Sequence, residues 1–147
     1  VKLPVTIKSR IGVDEQEPQE ALFTLVEKCK SVGVGYFIVH ARKAWLQGLS
    51  PKQNRDIPPL DYALARRIKA DRPDLNISVN GGITSLDATE AFLTDGFDGV
   101  MIGRAAYHEP SAILCSVTRA AMNWSFRLST EESCHCRVAC GHPGQRC

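Results

Sequence analysis

Four alternations of a short apolar run with a helical pattern predict an α/β fold. Polar side chains at the C-terminal ends of those runs, and glycine-containing turns after the last two, narrow it further. Together they specify the C-terminal half of a (β/α)8 TIM barrel, four βα units, with an irregular Cys-rich tail. The order of elements alone fits a doubly wound sheet equally well. The repetitive part ends near residue 110, about half of the ~250 residues a complete barrel takes. The expected division is a partial barrel over 1–110 and a tail over 111–147, the latter expected to be disordered.

The first strand is expected over Val1 to Arg10, where Val5 and Ile7 alternate with Thr6, Lys8 and Arg10. Gly12 and Asp14 end it. Pro18 suits a first helical turn, and Ala21, Leu22, Leu25, Val26 and Cys29 form one apolar face up to Ser31. Gly33 follows as a stop. Phe37 to Val39 is the second strand, and a polar loop runs from it to Pro59. A second helix is expected from Leu60 to Ala70, with Leu60, Leu64 and Ile68 inward. Asn76 to Asn80 is the third strand, turned by Gly81-Gly82. Thr84-x-x-Asp87 has the form of a capping box and opens a third helix to Thr94. Gly99 to Ile102 is the fourth strand, and a short helix is expected from Ser111.

Composition bounds the function loosely. The 147 residues are 44% hydrophobic and 23% charged, as in a soluble globular protein. A net charge of +2 is too small to imply a polyanion partner by itself. No apolar run approaches the ~20 residues of a membrane span. The first residue is Val1 and not Met, so the natural start is expected upstream. Cys29 and Cys115 stand alone among apolar neighbours, while Cys134, Cys136, Cys140 and Cys147 crowd the end. The body therefore reads as reduced and intracellular, and a cytoplasmic location is expected.

Parity carries the chemistry. Lys8 faces opposite to Val5 and Ile7, His40 opposite to Phe37 and Val39, and Asn80 opposite to Ile77 and Val79. The apolar set packs on helices, and the polar set points to the barrel axis, where barrel enzymes build their sites. A Lys, a His and an Asn there suit a polar ring system carrying a phosphate. Gly81, Gly82 and Gly103 let backbone N–H groups approach that phosphate, and Arg104 adds a cation. Taken singly, each residue has a plainer reading as a strand end, a packed His or a turn. Their conjunction at four successive strand ends favours a cofactor site. Arg42, Lys43, Lys52 and Arg55 surround Trp45 in the loop after the second strand. That loop either grips phosphates and stacks a base or is a solvated loop with one anchored Trp.

The stretch His40-Ala-Arg-Lys-Ala-Trp-Leu-x-Gly-Leu-Ser-Pro-Lys-x-Asn-Arg55, with Pro58-Pro-Leu-Asp-Tyr62, resembles the tRNA-dihydrouridine synthase A family. So do Pro4-Val-Thr-x-Lys8-x-Arg-Ile-Gly12, Asn80-Gly-Gly-Ile83 and Asp98-Gly-Val-Met-Ile-Gly-Arg104-x-Ala-Tyr107. The resemblance covers roughly Val1 to Pro110, and makes that region a flavin-binding part-barrel. It implies FMN-dependent reduction of uridine to 5,6-dihydrouridine in the tRNA D-loop, with NADPH as reductant. By position it implies Lys8, His40, Asn80, Gly81, Gly82, Gly103 and Arg104 as FMN-binding residues. It implies Lys52, Arg55 and Arg42 as tRNA contacts, with Arg42 also beside the flavin and substrate pocket.

The chain departs from that family in two ways. The proton donor implied by the resemblance is a Cys in an Asn-x-Gly-Cys-Pro motif, which this chain lacks, so no catalytic residue is assigned. The chain is expected to begin at the fifth strand, without the first four strands or the family's C-terminal helical domain. The tail offers Cys134-x-Cys136-x3-Cys140-x-His142, enough ligands for Zn2+ but in no familiar spacing. It reads as a non-homologous end, and no metal is assigned. Two functions remain open: a piece of a tRNA-dihydrouridine synthase, or a non-catalytic piece that keeps flavin or RNA binding. The length of the loop motif disfavours another flavin oxidoreductase. Membrane and obligate protein partners are not indicated.

Overall fold

The computed structural model describes residues 3–111 and residue 113. The four expected strands are β1 (Thr6–Arg10), β2 (Tyr36–His40), β3 (Asn76–Asn80) and β4 (Gly99–Met101). They form one parallel sheet in the order β1-β2-β3-β4. Each connection returns the chain beside the strand just left, which gives the simple sequential order. The helices are α1 (Pro18–Lys30), α2 (Gln53–Asp56), α3 (Tyr62–Asp71), α4 (Leu86–Thr94) and α5 (Arg104–His108).

Local chemistry explains the helix ends. Pro18 opens α1, whose Leu22 and Val26 stand one turn apart and are buried. Gly33 follows it with φ +93°, a conformation that glycine adopts without strain. Helix α3 begins two residues later than expected, because Asp61 is its cap and accepts a bond from Leu64 N at 2.9 Å. In α4 the cap is Ser85 and not Thr84: its Oγ accepts from Ala88 N at 3.2 Å. Helical backbone is present at Pro110, Ser111 and Ile113, where a short helix is expected, and α5 is an additional helix directly after Gly103. The first strand is shorter than expected and begins at Thr6; residues 1–2 are outside the described part.

One face of the sheet holds the core. Phe37, Val39, Ile77 and Val79 are essentially fully buried and meet Leu22 and Val26 of α1 and Leu64, Ala65 and Ile68 of α3. Ala88 and Phe92 of α4 pack on the same cluster. Each fully buried side chain of this size contributes ~1.5–3 kcal/mol of transfer free energy. All three longer helices therefore cover one face, as in a barrel wall and unlike a doubly wound sheet. The other face carries Lys8, Ile38, Ser78 and Gly99 in one row and Arg10, His40, Asn80 and Met101 in the next. In the first of these rows Tyr36, one step behind, shares a 2.7 Å hydrogen bond between its hydroxyl and Ser78 Oγ. Gly99 leaves room for that pair, since a β-carbon there would stand 2.5 Å from Ser78 Oγ.

Candidate functional site

The row nearest the C-terminal strand ends opens into a cleft of about 760 Å³. Small-molecule sites span ~300–1,000 Å³. Lys8, His40, Asn80, Gly81, Gly82, Gly103 and Arg104 all line it, as does Arg55 from the following loop. Strand parity for Lys8, His40 and Asn80, and the turns that carry Gly81, Gly82, Gly103 and Arg104, bring the seven residues to one place. Arg10 lines the cleft as well, and among its lining residues Glu109 is the sole carboxylate.

His40 sits at the centre. Its ring packs over Gly81, whose φ of +115° and bare α-carbon leave space for it. Burial, then the charges of Arg10, Lys8, Arg42 and Arg104, push His40 down to about 4. The imidazole is therefore neutral near pH 7, with one ring N–H to donate and one nitrogen to accept. Lys8 is lowered by partial burial and by Arg10. Several cations with little acid between them make a strong site for an anionic group. Asn80 is buried, and its Nδ2 donates to Met101 O at 2.7 Å, fixing the end of β4. Tyr62 Oη donates to Gly81 O at 2.5 Å, which holds the Gly81–Gly82 turn from below.

Arg104 starts α5 and reaches back to the loop after β2, where its Nη2 donates to Asp56 Oδ1 at 2.8 Å. That loop is tightly ordered around Asn54. Asn54 Oδ1 accepts from Trp45 N at 2.7 Å, and its Nδ2 donates to Trp45 O at 2.5 Å and Leu49 O at 3.3 Å. Ser50 and Gln53 exchange bonds, Ser50 N to Gln53 Oε1 at 2.9 Å and Gln53 N to Ser50 Oγ at 3.3 Å. This reciprocal pair has the form of a capping box and supports α2, a helix the sequence reading passed over. Lys52 and Arg55 are exposed at α2, and only Arg55 of the two lines the cleft.

Arg42 takes a different place. Its Nη1 donates to Asp56 O at 2.8 Å and to Pro58 O, and its buried Nε has no partner among the described residues. It does not line the cleft. Trp45 is half-buried, with Lys43 Nζ 5.0 Å from its ring centre, so one face is occupied by a cation. Cys29 lies on α1, and no described cysteine lines the cleft. Cys115, Cys134, Cys136, Cys140 and His142 lie outside the described residues, so the tail has no structural account.

A barrel wall with helices on one face and a cationic cleft at its carboxyl ends places the chain among (β/α)8-barrel proteins. The sequence model of the family described as Dihydrouridine synthase (Dus) matches residues 1–139. The chain belongs to that family, whose members are oxidoreductases built on a TIM barrel. The match extends into the segment that the sequence reading set apart as a tail. A tRNA-dihydrouridine(20/20a) synthase of Shewanella oneidensis is 52% identical over 129 residues, covering 84% of this chain and 38% of that protein. The proteins of the same name from Escherichia coli (strain K12) and Vibrio cholerae are 51% and 52% identical, covering 81% and 75% of this chain and 34% of each relative. The chain thus spans little more than a third of the length of these relatives. Among the described residues, no helix is long and apolar enough to cross a membrane.

Proposed function

We propose that this chain forms the C-terminal half of the barrel of a tRNA-dihydrouridine synthase, an enzyme that reduces uridine to 5,6-dihydrouridine in the tRNA D-loop. The observation that carries this reading is the cleft: seven residues expected to hold FMN converge there, around a neutral His40 seated on Gly81. The donor set fits a flavin phosphate. Arg104 and the turn glycines Gly81, Gly82 and Gly103 would hold the phosphate, and Lys8, His40 and Asn80 would hold the ring system, all of them lining the one cleft.

Bound FMN would supply hydride chemistry toward uracil C6, with NADPH as the reductant. Lys8 holds negative charge at the ring. His40 is kept uncharged by its cationic neighbours, so it orients a ligand by a hydrogen bond and adds no further positive charge. Lys52 and Arg55 meet tRNA phosphates from α2. Arg42 supports that surface from behind through the carbonyls of Asp56 and Pro58. Across the net reaction, C5 and C6 of uracil gain a proton and a hydride while NADPH becomes NADP+. No residue of this chain is assigned the proton donor.

The test uses the protein at its full natural length. Flavin absorbance after purification and NADPH-dependent appearance of dihydrouridine in unmodified tRNA are the expected results. Flavin binding and tRNA binding without product support the second reading, a non-catalytic binding piece. Absence of both flavin and tRNA binding defeats both readings.

A further inference from the structure

We propose that Arg10 is a positioning residue that closes the neck of the loop after β2, and so sets where Lys52 and Arg55 stand relative to the cleft. From the last position of β1, Arg10 Nη1 donates to Lys43 O at 2.8 Å and to Asn54 O at 2.9 Å. These acceptors lie at the two ends of one loop, so a single guanidinium nitrogen draws its ends together. Asn54 is also the hub inside the loop, through its bonds to Trp45 and Leu49. Arg10 therefore acts on the loop at the residue that organises its interior.

The surroundings argue that this role needs an Arg. Arg10 forms no ion pair among the described residues. Burial, then Arg42 and Arg55, disfavour its charge. A half-buried cation in cationic company persists where fixed acceptors demand it. Two carbonyls from separate segments, converging on one nitrogen in row with His40, are such acceptors. The β1–α1 turn backs the same loop, with Ala44 N on Gly12 O at 2.9 Å and Leu46 N on Asp14 Oδ1 at 2.7 Å. Arg10 adds the tie that reaches α2, at Asn54. A lysine has a single ammonium on a longer, freer stem and lacks the fixed fork geometry of Arg.

The consequence for RNA rests on the function proposed above, while the consequence for the loop does not. Hydrogen exchange on the full-length protein reads the loop directly. In Arg10→Ala, exchange of the Trp45, Leu46 and Asn54 amides rises, while the β1–β2 ladder and Ala41 keep their protection. Arg10→Lys gives an intermediate rise, and Asn54→Asp loosens the same amides from the other side. Tight tRNA binding weakens roughly 10-fold in Arg10→Ala, the loss expected for hydrogen bonds from a charged donor, and flavin affinity, to which Arg10 adds one charge of the cleft lining, falls by a smaller factor. Unaltered loop exchange overturns the proposal. Equal losses of flavin and tRNA affinity also overturn it, because Arg10 would then be a ligand of the cofactor. A wild-type protein that binds no tRNA defeats the functional reading, and the exchange arm still decides the role of Arg10. If Arg10→Ala does not fold, Arg10→Lys and Asn54→Asp decide: no rise in either is fatal.

Discussion

The imidazole of His40 lies against the α-carbon of Gly81. A β-carbon added at Gly81 would stand 2.6 Å from His40 Cδ2 and 3.0 Å from its Nε2. The turn after β3 therefore fixes the height of a side chain delivered by β2. Two βα units share one functional group, and neither can change alone.

Gly81→Ala is expected to cost about 1–3 kcal/mol of stability, from a positive φ and a displaced imidazole together. It should also weaken flavin binding. Gly103→Ala is the contrast, since Gly103 has φ −103° and open space around its α-carbon. Its melting temperature should match the wild type. Thermal melts and flavin titrations of the two variants check this, and equal effects would refute the role given to Gly81.

His40 should titrate far below an ordinary histidine. Its folded value of about 4 lies under the 6.5 of the free side chain. The unfolded chain thus binds the extra proton first as pH falls. The contribution of neutral His40 to stability is complete above 6.5 and is lost as the pH drops from there toward about 4. Ring-carbon NMR shifts across this range measure the value. An anionic ligand in the cleft should raise it, because opposite charge favours the imidazolium.

Asp98 ties β3 to α3, and Asp98→Ala should destabilise the fold by about 1–3 kcal/mol. Its Oδ2 accepts from Ile77 N at 2.7 Å and from Lys69 Nζ at 2.7 Å. Burial alone would raise this carboxyl, but the bonds from Lys69 and Ile77 outweigh burial and hold it below its usual 3.8. That stabilisation is present above 3.8 and fades as the pH falls below it. Chemical denaturation of the variant at neutral pH gives the cost.

Lys52→Ala and Arg55→Ala should each reduce the salt dependence of tRNA binding. Each lost phosphate contact lowers the slope of log affinity against log salt by roughly 0.7–0.9. Affinity measured from low to moderate salt resolves this. Arg55→Ala should in addition weaken flavin binding, since Arg55 lines the cleft and Lys52 does not.

The 147-residue chain prepared alone should associate with itself. β1 and β4 are the outer strands of its parallel sheet, and Leu3 and Val5 beside β1 are 75% and 54% exposed. Such edges pair with other chains unless something covers them. Light scattering against concentration is the measurement, and a monomer with a cooperative melt would contradict it.

The strands and the site were legible because a period of two is a strong signal. The pattern puts Phe37, Val39, Ile77 and Val79 against the helices and Lys8, His40 and Asn80 on the opposite face, and each side chain stands on the expected face. The order of elements left the choice between barrel and doubly wound sheet open, because the face on which each helix packs is a property of the crossovers. Boundaries slipped by one or two residues where Asp61 and Ser85, not their neighbours, supplied the caps. Helix α2 had a visible signal, Ser50-Pro51-x-Gln53, that the emphasis on basic residues obscured. Arg10 and Asn54 carried no local signal, because their bonds span 33, 44 and 9 residues and exist only once the loop has closed.

The tied loop after β2 has a kinetic meaning. Fixing a residue's backbone costs ~1–2 kcal/mol of conformational entropy. With its ends held by Arg10 and its interior by Asn54, this loop meets that cost when the chain folds. A polyanion arriving at α2 then docks on a surface already in shape. Its association rate should follow ionic strength through electrostatic steering and vary little with solvent viscosity beyond simple diffusion, because no loop search precedes capture.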